Sequence, residues 1–305
     1  MNQDIRRGLL KKIADLHDVP AGAYNIRENG ESIRQNTDEI VIETKTDKPG
    51  INIIVKSGTK NKSVHIPVLI TKTGLTELVY NDFIIGDDCD VLIVAGCGIH
   101  NTGDEASAHD GVHSFEVGKN SHVRYIEKHY GEGNGSGERI MNPEMTAHLA
   151  EGASMEIESV QIGGIDSTNR KTVITAEAKC EVLLSERLMT DGHQDVVSDT
   201  EIILNGADSK ARINSRSVAK GNSTQLFYPK LTGNADCFGH VQCDSIIMDD
   251  AKIRSIPEIC ANCVDARLVH EAAIGKIAGD QILKLMTLGL TAEEAEEKIL
   301  NGLLK

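Results

Sequence analysis

Between residues 3 and 17 apolar positions recur at helical spacing, with Ile5, Leu9, Leu10, Ile13 and Leu16 on one stripe. This predicts an amphipathic helix, which Pro20 closes. Beyond it the period drops to two. INIIVKSG, HIPVLITKTG, DVLIVAGCG, TVITAEAKCEVLLSE and DTEIILNG are short, rich in β-branched residues and bounded by Gly, Asp or Asn. Roughly 200 residues therefore read as strands.

A loose repeat runs through them: a turn, a small residue, then inward positions two and four places on. Its members are Cys89, Val91, Ile93; Ser121, Val123, Tyr125; Ala153, Met155, Ile157; and Ala178, Cys180, Val182. Ser209, Ala211, Ile213; Ala235, Cys237, Gly239; and Ala251, Ile253, Ser255 complete it. Steps of 32, 32, 25, 31, 26 and 16 residues between first members exclude a strict short-repeat solenoid. They suit a β-helix with two or three strands per coil and variable corners. A β-sandwich also gives short strands with turn signals, so the period alone leaves both folds open. From about residue 264 the pattern turns helical: DQILKLMTLG stops at Gly289, and TAEEAEEKILNG opens with a Thr291–Glu294 capping box and stops at Gly302.

Composition narrows the function classes. With 32 Lys and Arg against 46 Asp and Glu the formal charge is −14, and an acidic surface repels phosphate backbones, so nucleic acid is not expected as a partner. Aromatic residues are 3% and Trp is absent, which predicts a core of aliphatic stacks. Seven cysteines, odd in number and scattered, do not suit a secreted disulfide framework and point to reduced thiols. No signal-peptide core and no membrane-spanning apolar run is visible, so a cytoplasmic chain off the membrane is expected.

Four stretches could carry chemistry. Cys243, in HVQCDSII, taken alone reads as a small core residue, free cysteine being commonly buried. His270 and Glu271, in LVHEAAIGK at an expected strand-to-helix junction, read as a cap or a surface ion pair and lack the second His of a zinc-protease helix. Cys260 and Cys263, in CANC, have the spacing of half a metal or redox site. Cys97, His100, His109 and His113 offer thiolate and imidazole donors for zinc, iron or copper, against solvent-facing histidines at the corners. GEGNGSGER, residues 131–139, lacks the Lys-Ser/Thr ending of a phosphate loop and reads as a flexible linker or loop.

Taken together, and in this order over about residues 240–303, QCDSII, AKIRSIPEI, DARLVHEAAIGKI and DQILKLMTLGLTAEEAEEKILNG resemble the C-terminal part of the SufB/SufD family of iron–sulfur cluster assembly scaffolds. The resemblance implies a mainly β protein: a right-handed parallel β-helix flanked by an N-terminal helix and a small C-terminal α-helical subdomain. The corresponding segments are 1–30, 31–263 and 264–305. It also implies that the terminal helices dock a SufC-like ABC-type ATPase. Leu283, Met286, Leu290, Ile299 and Leu303 supply the apolar surface there, although packing on the β-helix accounts for much of it.

By motif, Cys243 matches the SufB cysteine implicated in building the nascent cluster, and His270 and Glu271 match the residues beside it; SufD lacks that cysteine. The chain departs from SufB in being short, in lacking the cysteine-rich N-terminal extension, and in having Val269 where a Glu often precedes the His. A minimal form serving as its own partner is expected, a homodimer contributing two copies of Cys243 and His270. It would carry a transient iron–sulfur cluster, with iron as a further candidate, and would be supplied by a sulfur donor such as a cysteine desulfurase. Thiolate with His and carboxylate is a labile ligand set suited to release. The chain would be a scaffold rather than an enzyme, with ATPase activity on the partner. The alternatives are a metal-dependent β-helix enzyme using Cys97, His100, His109 and His113, and a structural β-solenoid that binds other proteins.

Overall fold

The helical stripe near the start folds as α1 (Gln3–Ala14), which buries Leu9, Leu10, Ile13 and Ala14. The computed structural model describes residues 3–17 and 19–304. Strands β1 (Ala23–Glu28), β2 (Glu31–Gln35), β3 (Ile40–Thr44) and β4 (Gly50–Val55) come next. β5 (Lys60–Ile70), β6 (Thr76–Ile85), β7 (Asp90–His100), β8 (Ser107–Val117), β9 (His122–Glu132), β10 (Arg139–Met141) and β11 (Glu144–Leu149) follow. β12 (Ser154–Ile162), β13 (Ser167–Ala176), β14 (Glu181–Thr190), β15 (Asp195–Leu204), β16 (Ser209–Ala219), β17 (Thr224–Gly233) and β18 (Cys237–Ile247) continue the run. β19 (Lys252–Ser255), β20 (Glu258–Ala261) and β21 (Arg267–Gly275) end it, before α2 (Gly279–Met286) and α3 (Ala292–Leu303).

From β4 onward the chain alternates between two sheets, β2-β1-β5-β7-β9-β12-β14-β16-β18-β21 and β19-β17-β15-β13-β10-β8-β6-β4-β3, with β11 following β10 between β8 and β13 and β20 following β19 along β17. Among the described residues only β1–β2 and β3–β4 pair antiparallel; the other ladders are parallel, which settles the choice against a sandwich. The result is a β-solenoid of about eight turns, each coil giving one rung to each sheet. Alternation sends every second side chain inward, where Ile, Val, Leu, Phe83, Phe115 and Tyr125 stack into one continuous core. The ladder takes in β1 and β21, which lie outside the 31–263 range that the pattern suggested.

Register sets the coil length. His122 pairs Asp90 and Ser154 pairs His122, coils of 32 residues; beyond them Glu181 stands under Ser154, Lys210 under Glu181 and Phe238 under Lys210, coils of 27, 29 and 28. The corner column is Cys89, Ser121, Ala153, Cys180, Ser209 and Cys237, all buried. The repeat expected from sequence thus sits two residues early at Ala178 and Ala235, and its last set, starting at Ala251, leads into the other sheet. Residues in the left-handed region precede the column at Asp88, Asn120, Gly152, Lys179 and Asp208, turning the chain so that only a small side chain fits the corner. There the Cys89 thiol donates to the Lys56 carbonyl (3.2 Å) and the Cys180 thiol to Ala150 (3.1 Å), as Ser121 donates to Gly86 (2.7 Å) and Ser209 to Gly206 (2.6 Å). Three of the seven cysteines are therefore corner residues that serine replaces elsewhere in the same column.

Outside the first sheet, α1 lies on β5, β7 and β9, with Leu9, Leu10 and Ile13 against Ile26, Leu69 and Val94. A side chain at Gly96 would stand 2.4 Å from the Ile13 carbonyl, so only glycine admits the helix this closely. At the other end Leu300 and Leu304 pack on Val218, and the capping box of α3 is formed on both sides. The glycine-rich stretch is not a free linker: Gly135 and Gly137 donate to the Asn101 and Gly103 carbonyls at 3.2 and 3.0 Å, laminating it onto the preceding coil. Among the described residues no helix is long and apolar enough to cross a membrane.

Candidate functional site

Cys243 sits in β18, 3% exposed and facing inward. Parallel register extends its rung through Ser215, Glu186, Ser159 and Glu127, so the thiol ends a buried polar column in an aliphatic core. Burial pushes the Cys243 thiol up to about 11, with Glu186 and Asp244 adding to the shift and the Ser255 hydroxyl opposing it. At neutral pH it is protonated, and a metal joining it must displace the proton.

β21 is the last rung of this sheet and places Ala272 beside Cys243 and His270 beside the inward-facing Val241. His270 thus shares the thiol's face as its diagonal neighbour. Its Nε2 is buried without a hydrogen-bond partner, and burial, helped by His240, lowers its pKa and keeps the ring neutral. Glu271 is the next residue of a strand and so points to the opposite face. It is exposed there, with Oε2 3.6 Å from His240 Nε2. The structure places Cys243 and His270 on one face and Glu271 on the other; the expected strand-to-helix junction is the middle of an edge strand. Cys260, in β20, and Cys263, in the bend after it, are free and half-buried, with the Cys260 thiol 3.4 Å from Asn262 Oδ1.

The other candidate group divides in the same way. Cys97 and His100 lie three apart in β7, and an odd separation on a strand sends them to opposite faces. His100 lies outside with Nδ1 3.1 Å from Glu132. Cys97, His109 and His113 face inward and line a cavity of about 20 Å3 together with Glu127 and His129.

Sequence reasoning missed the polar chain this cavity opens on. Tyr125 bonds His113 Nδ1 (2.8 Å) and donates to Glu127 Oε1 (2.9 Å). Glu127 lies 3.7 Å from His129 Nε2, and Arg170 reaches His129 Nδ1 at 3.2 Å. Arg170 also donates to Ser159 and to Glu186 (3.4 Å), and Glu186 accepts from Ser198 (2.8 Å) and Ser215 (2.9 Å). Burial alone would raise the Glu127 carboxyl, but His129, Arg170 and His113 outweigh it and hold it well below the usual carboxylate range. The one local signal was acidic residues at inward parity, Glu127 in RYIEKHY and Glu186 in LLSERLM.

Burial lowers His65, His109 and His113, His109 to about 3 with His113 and His129 adding to the shift. The unfolded chain takes up these protons near pH 6.5, before the folded chain does. Their contribution is present above pH 6.5 and is lost on acidification toward pH 3, at up to about 1.4 kcal/mol per pH unit for each fully buried ring. Urea midpoints between pH 7.5 and 4.5 are expected to fall accordingly, and a flat profile would contradict this assignment.

The model for "SUF system FeS cluster assembly, SufBD core domain" matches residues 77–303, from β6 through α3. The chain belongs to the SufB/SufD family. A SufBD family protein of Methanocaldococcus jannaschii is 28% identical over 280 residues, covering 88% of this chain and 86% of that one. A relative from Methanothermobacter thermautotrophicus strain Delta H is 26% identical over 234 residues, 75% of this chain and 55% of its own. One from Pyrococcus horikoshii is 29% identical over 211 residues, 65% of this chain and 60% of its own. All three are named as iron–sulfur cluster assembly proteins; this chain spans most of the first and little more than half of the second. Cys243, His270 and the internal chain of polar residues all lie inside the matched SufBD core.

Proposed function

We propose that this SufB/SufD-family chain is a non-catalytic scaffold on which a nascent iron–sulfur cluster is assembled and from which it is passed on, in the cytoplasm. The observation that carries this is the placing of Cys243 and His270 on one face of the two terminal rungs, a buried thiol and an imidazole whose Nε2 is buried without a hydrogen-bond partner. One sulfur and one nitrogen donor make an incomplete, labile set. Glu271 acts from the outer face and contributes less.

A second copy supplies the missing donors. β21 and the β19–β20 edge are open, with Val264, Val269, Ile259 and Ile274 exposed around them; an open parallel edge is covered most simply by its own twin. The resulting homodimer brings together two Cys243 and two His270. A SufC-like ABC-type ATPase docks on the terminal helices, and a cysteine desulfurase supplies sulfur. Of the apolar residues there, Leu283 (62% exposed) and Met286 (42%) face outward with Leu288 (75%). Leu290 and Ile299 are half-buried, and Leu303 packs toward Val218, so docking centres on α2.

Anaerobic reconstitution of the full chain with iron and sulfide is expected to give the visible sulfur-to-iron charge-transfer absorbance of a bound cluster. Removing residues 279–305 should abolish ATPase binding and leave the solenoid folded. A colourless reconstituted protein would sink the scaffold assignment, and a truncated chain that still binds the ATPase would move the docking surface elsewhere.

A further inference from the structure

We propose that the interior of the solenoid holds a site for one borderline-soft divalent transition-metal ion, of the iron(II) or zinc(II) class, over Gly111. His109 Nε2 and His113 Nε2 are its first ligands, and Cys97 and Glu127 are the groups that complete it. The site is separate from the Cys243 end and does not rest on the scaffold function.

His109, Gly111 and His113 occupy alternate positions of β8 and all face inward. A Cβ built on Gly111 would lie 3.3 Å from His113 Nε2 and 3.5 Å from His109 Nε2. The two nitrogens converge on the one space that a side chain at 111 would take. Gly111 is in ordinary strand, paired with Val79, so its backbone does not call for glycine; its absent side chain leaves the room. The cavity there, about 20 Å3, holds about one water or one ion.

The hydrogen bonds fix which nitrogen is available. Tyr125 has one hydroxyl proton and gives it to Glu127, so in its bond to Tyr125 it is His113 Nδ1 that carries the proton. The lone pair of His113 is on Nε2, where the Asn81 amide meets it at 3.2 Å. His109 is 7% exposed, and its Nδ1 is buried without a hydrogen bond, 4.0 Å from Glu77 Oε2. A ring nitrogen left unpartnered in the interior costs about 1–3 kcal/mol. An ion on Nε2, with Nδ1–H turned to Glu77 behind it, would relieve that cost in the carboxylate–histidine–metal arrangement common to metal sites.

Around this pair stand one thiol, one carboxylate and a third imidazole, from Cys97, Glu127 and His129. Nitrogen and sulfur donors select iron(II) or zinc(II) over magnesium and calcium. Among the described residues no three His, Cys, Asp or Glu side chains stand as a finished cage. Loading displaces the Asn81 amide from His113 and draws in Cys97 or Glu127; if Cys97 joins, its proton is released with the metal's arrival.

The test is anaerobic titration of the metal-free full chain with cobalt(II), followed by competition with zinc(II). One cobalt per chain is expected, with visible d–d bands of low-symmetry coordination that zinc abolishes; near-ultraviolet sulfur-to-cobalt absorbance reports Cys97. His109→Gln and Gly111→Ala, the second keeping every donor and adding only a methyl group, should each weaken binding about 10–100-fold. Cys243→Ser should not change it. Cobalt binding that survives both lumen substitutions, or that disappears with Cys243→Ser, overturns the proposal. Should the variants fail to fold, zinc added to the parent protein must shift the ring resonances of His109 and His113, and unmoved rings overturn it equally.

Discussion

Cys243→Ser is expected to leave the solenoid folded and to abolish cluster formation on anaerobic reconstitution. The hydroxyl has nearly the volume of the thiol, and the rung already holds serine at Ser215 and Ser159, so the interior tolerates it at a cost of about 1 kcal/mol. What is lost is the soft donor: serine is a far weaker acid than even a thiol raised to about 11 and a poor ligand for iron. Cys180→Ser is the matched control, because Ser121 and Ser209 already fill the same corner column, and it should change neither stability nor cluster yield by a measurable amount. His270→Ala should weaken retention of the cluster, and Glu271→Ala, acting on the outer face, should do less. Equal absorbance from Cys243→Ser and the parent chain would return Cys243 to the core and remove the terminal site.

Arg170→Met is expected to cost about 3–5 kcal/mol of folding stability, more than Cys243→Ser or Cys180→Ser. Arg170 and Glu186 are both buried, and removing the guanidinium leaves a carboxylate in the interior held by the neutral Ser198 and Ser215 hydroxyls. It also removes the donor that fixes His129 Nδ1. Replacing both members, as Arg170→Met with Glu186→Leu, should recover part of the loss, since the Glu186 charge is then not stranded, while Glu127 keeps His129 and His113. The urea midpoint with its slope unchanged is the measurement. A cost below about 1 kcal/mol would mean that the pair behaves like an exposed one.

How far the sequence disclosed this structure varies residue by residue. Two-residue alternation gave the strands, and the Thr291–Glu294 capping box gave α3. Coil register was beyond it: moving Cys180 to Ala178 shifts a rung by two residues, keeps inward parity intact and puts another small residue at the corner, so no local pattern objects. The Arg170–Glu186 pair was hidden for another reason: its partners lie on β13 and β14, consecutive strands in opposite sheets, and meet only across the interior. Alternation could have separated Cys97 from His100, and His270 from Glu271, once those stretches were read as strand rather than as corner or junction. The match of QCDSII with HEAAI located Cys243 and His270 together, but which of them face each other came only from β18 and β21.

β21 has a neighbour on one side only, β18. In a stack where each coil is held by the coils next to it, the end coil separates at a fraction of the free energy that unfolds the whole. The thiol lies one rung in from that end. Access to Cys243 is therefore governed by fraying of a single terminal rung rather than by global unfolding, and a partner that caps this end closes the door as well as completing the ligands.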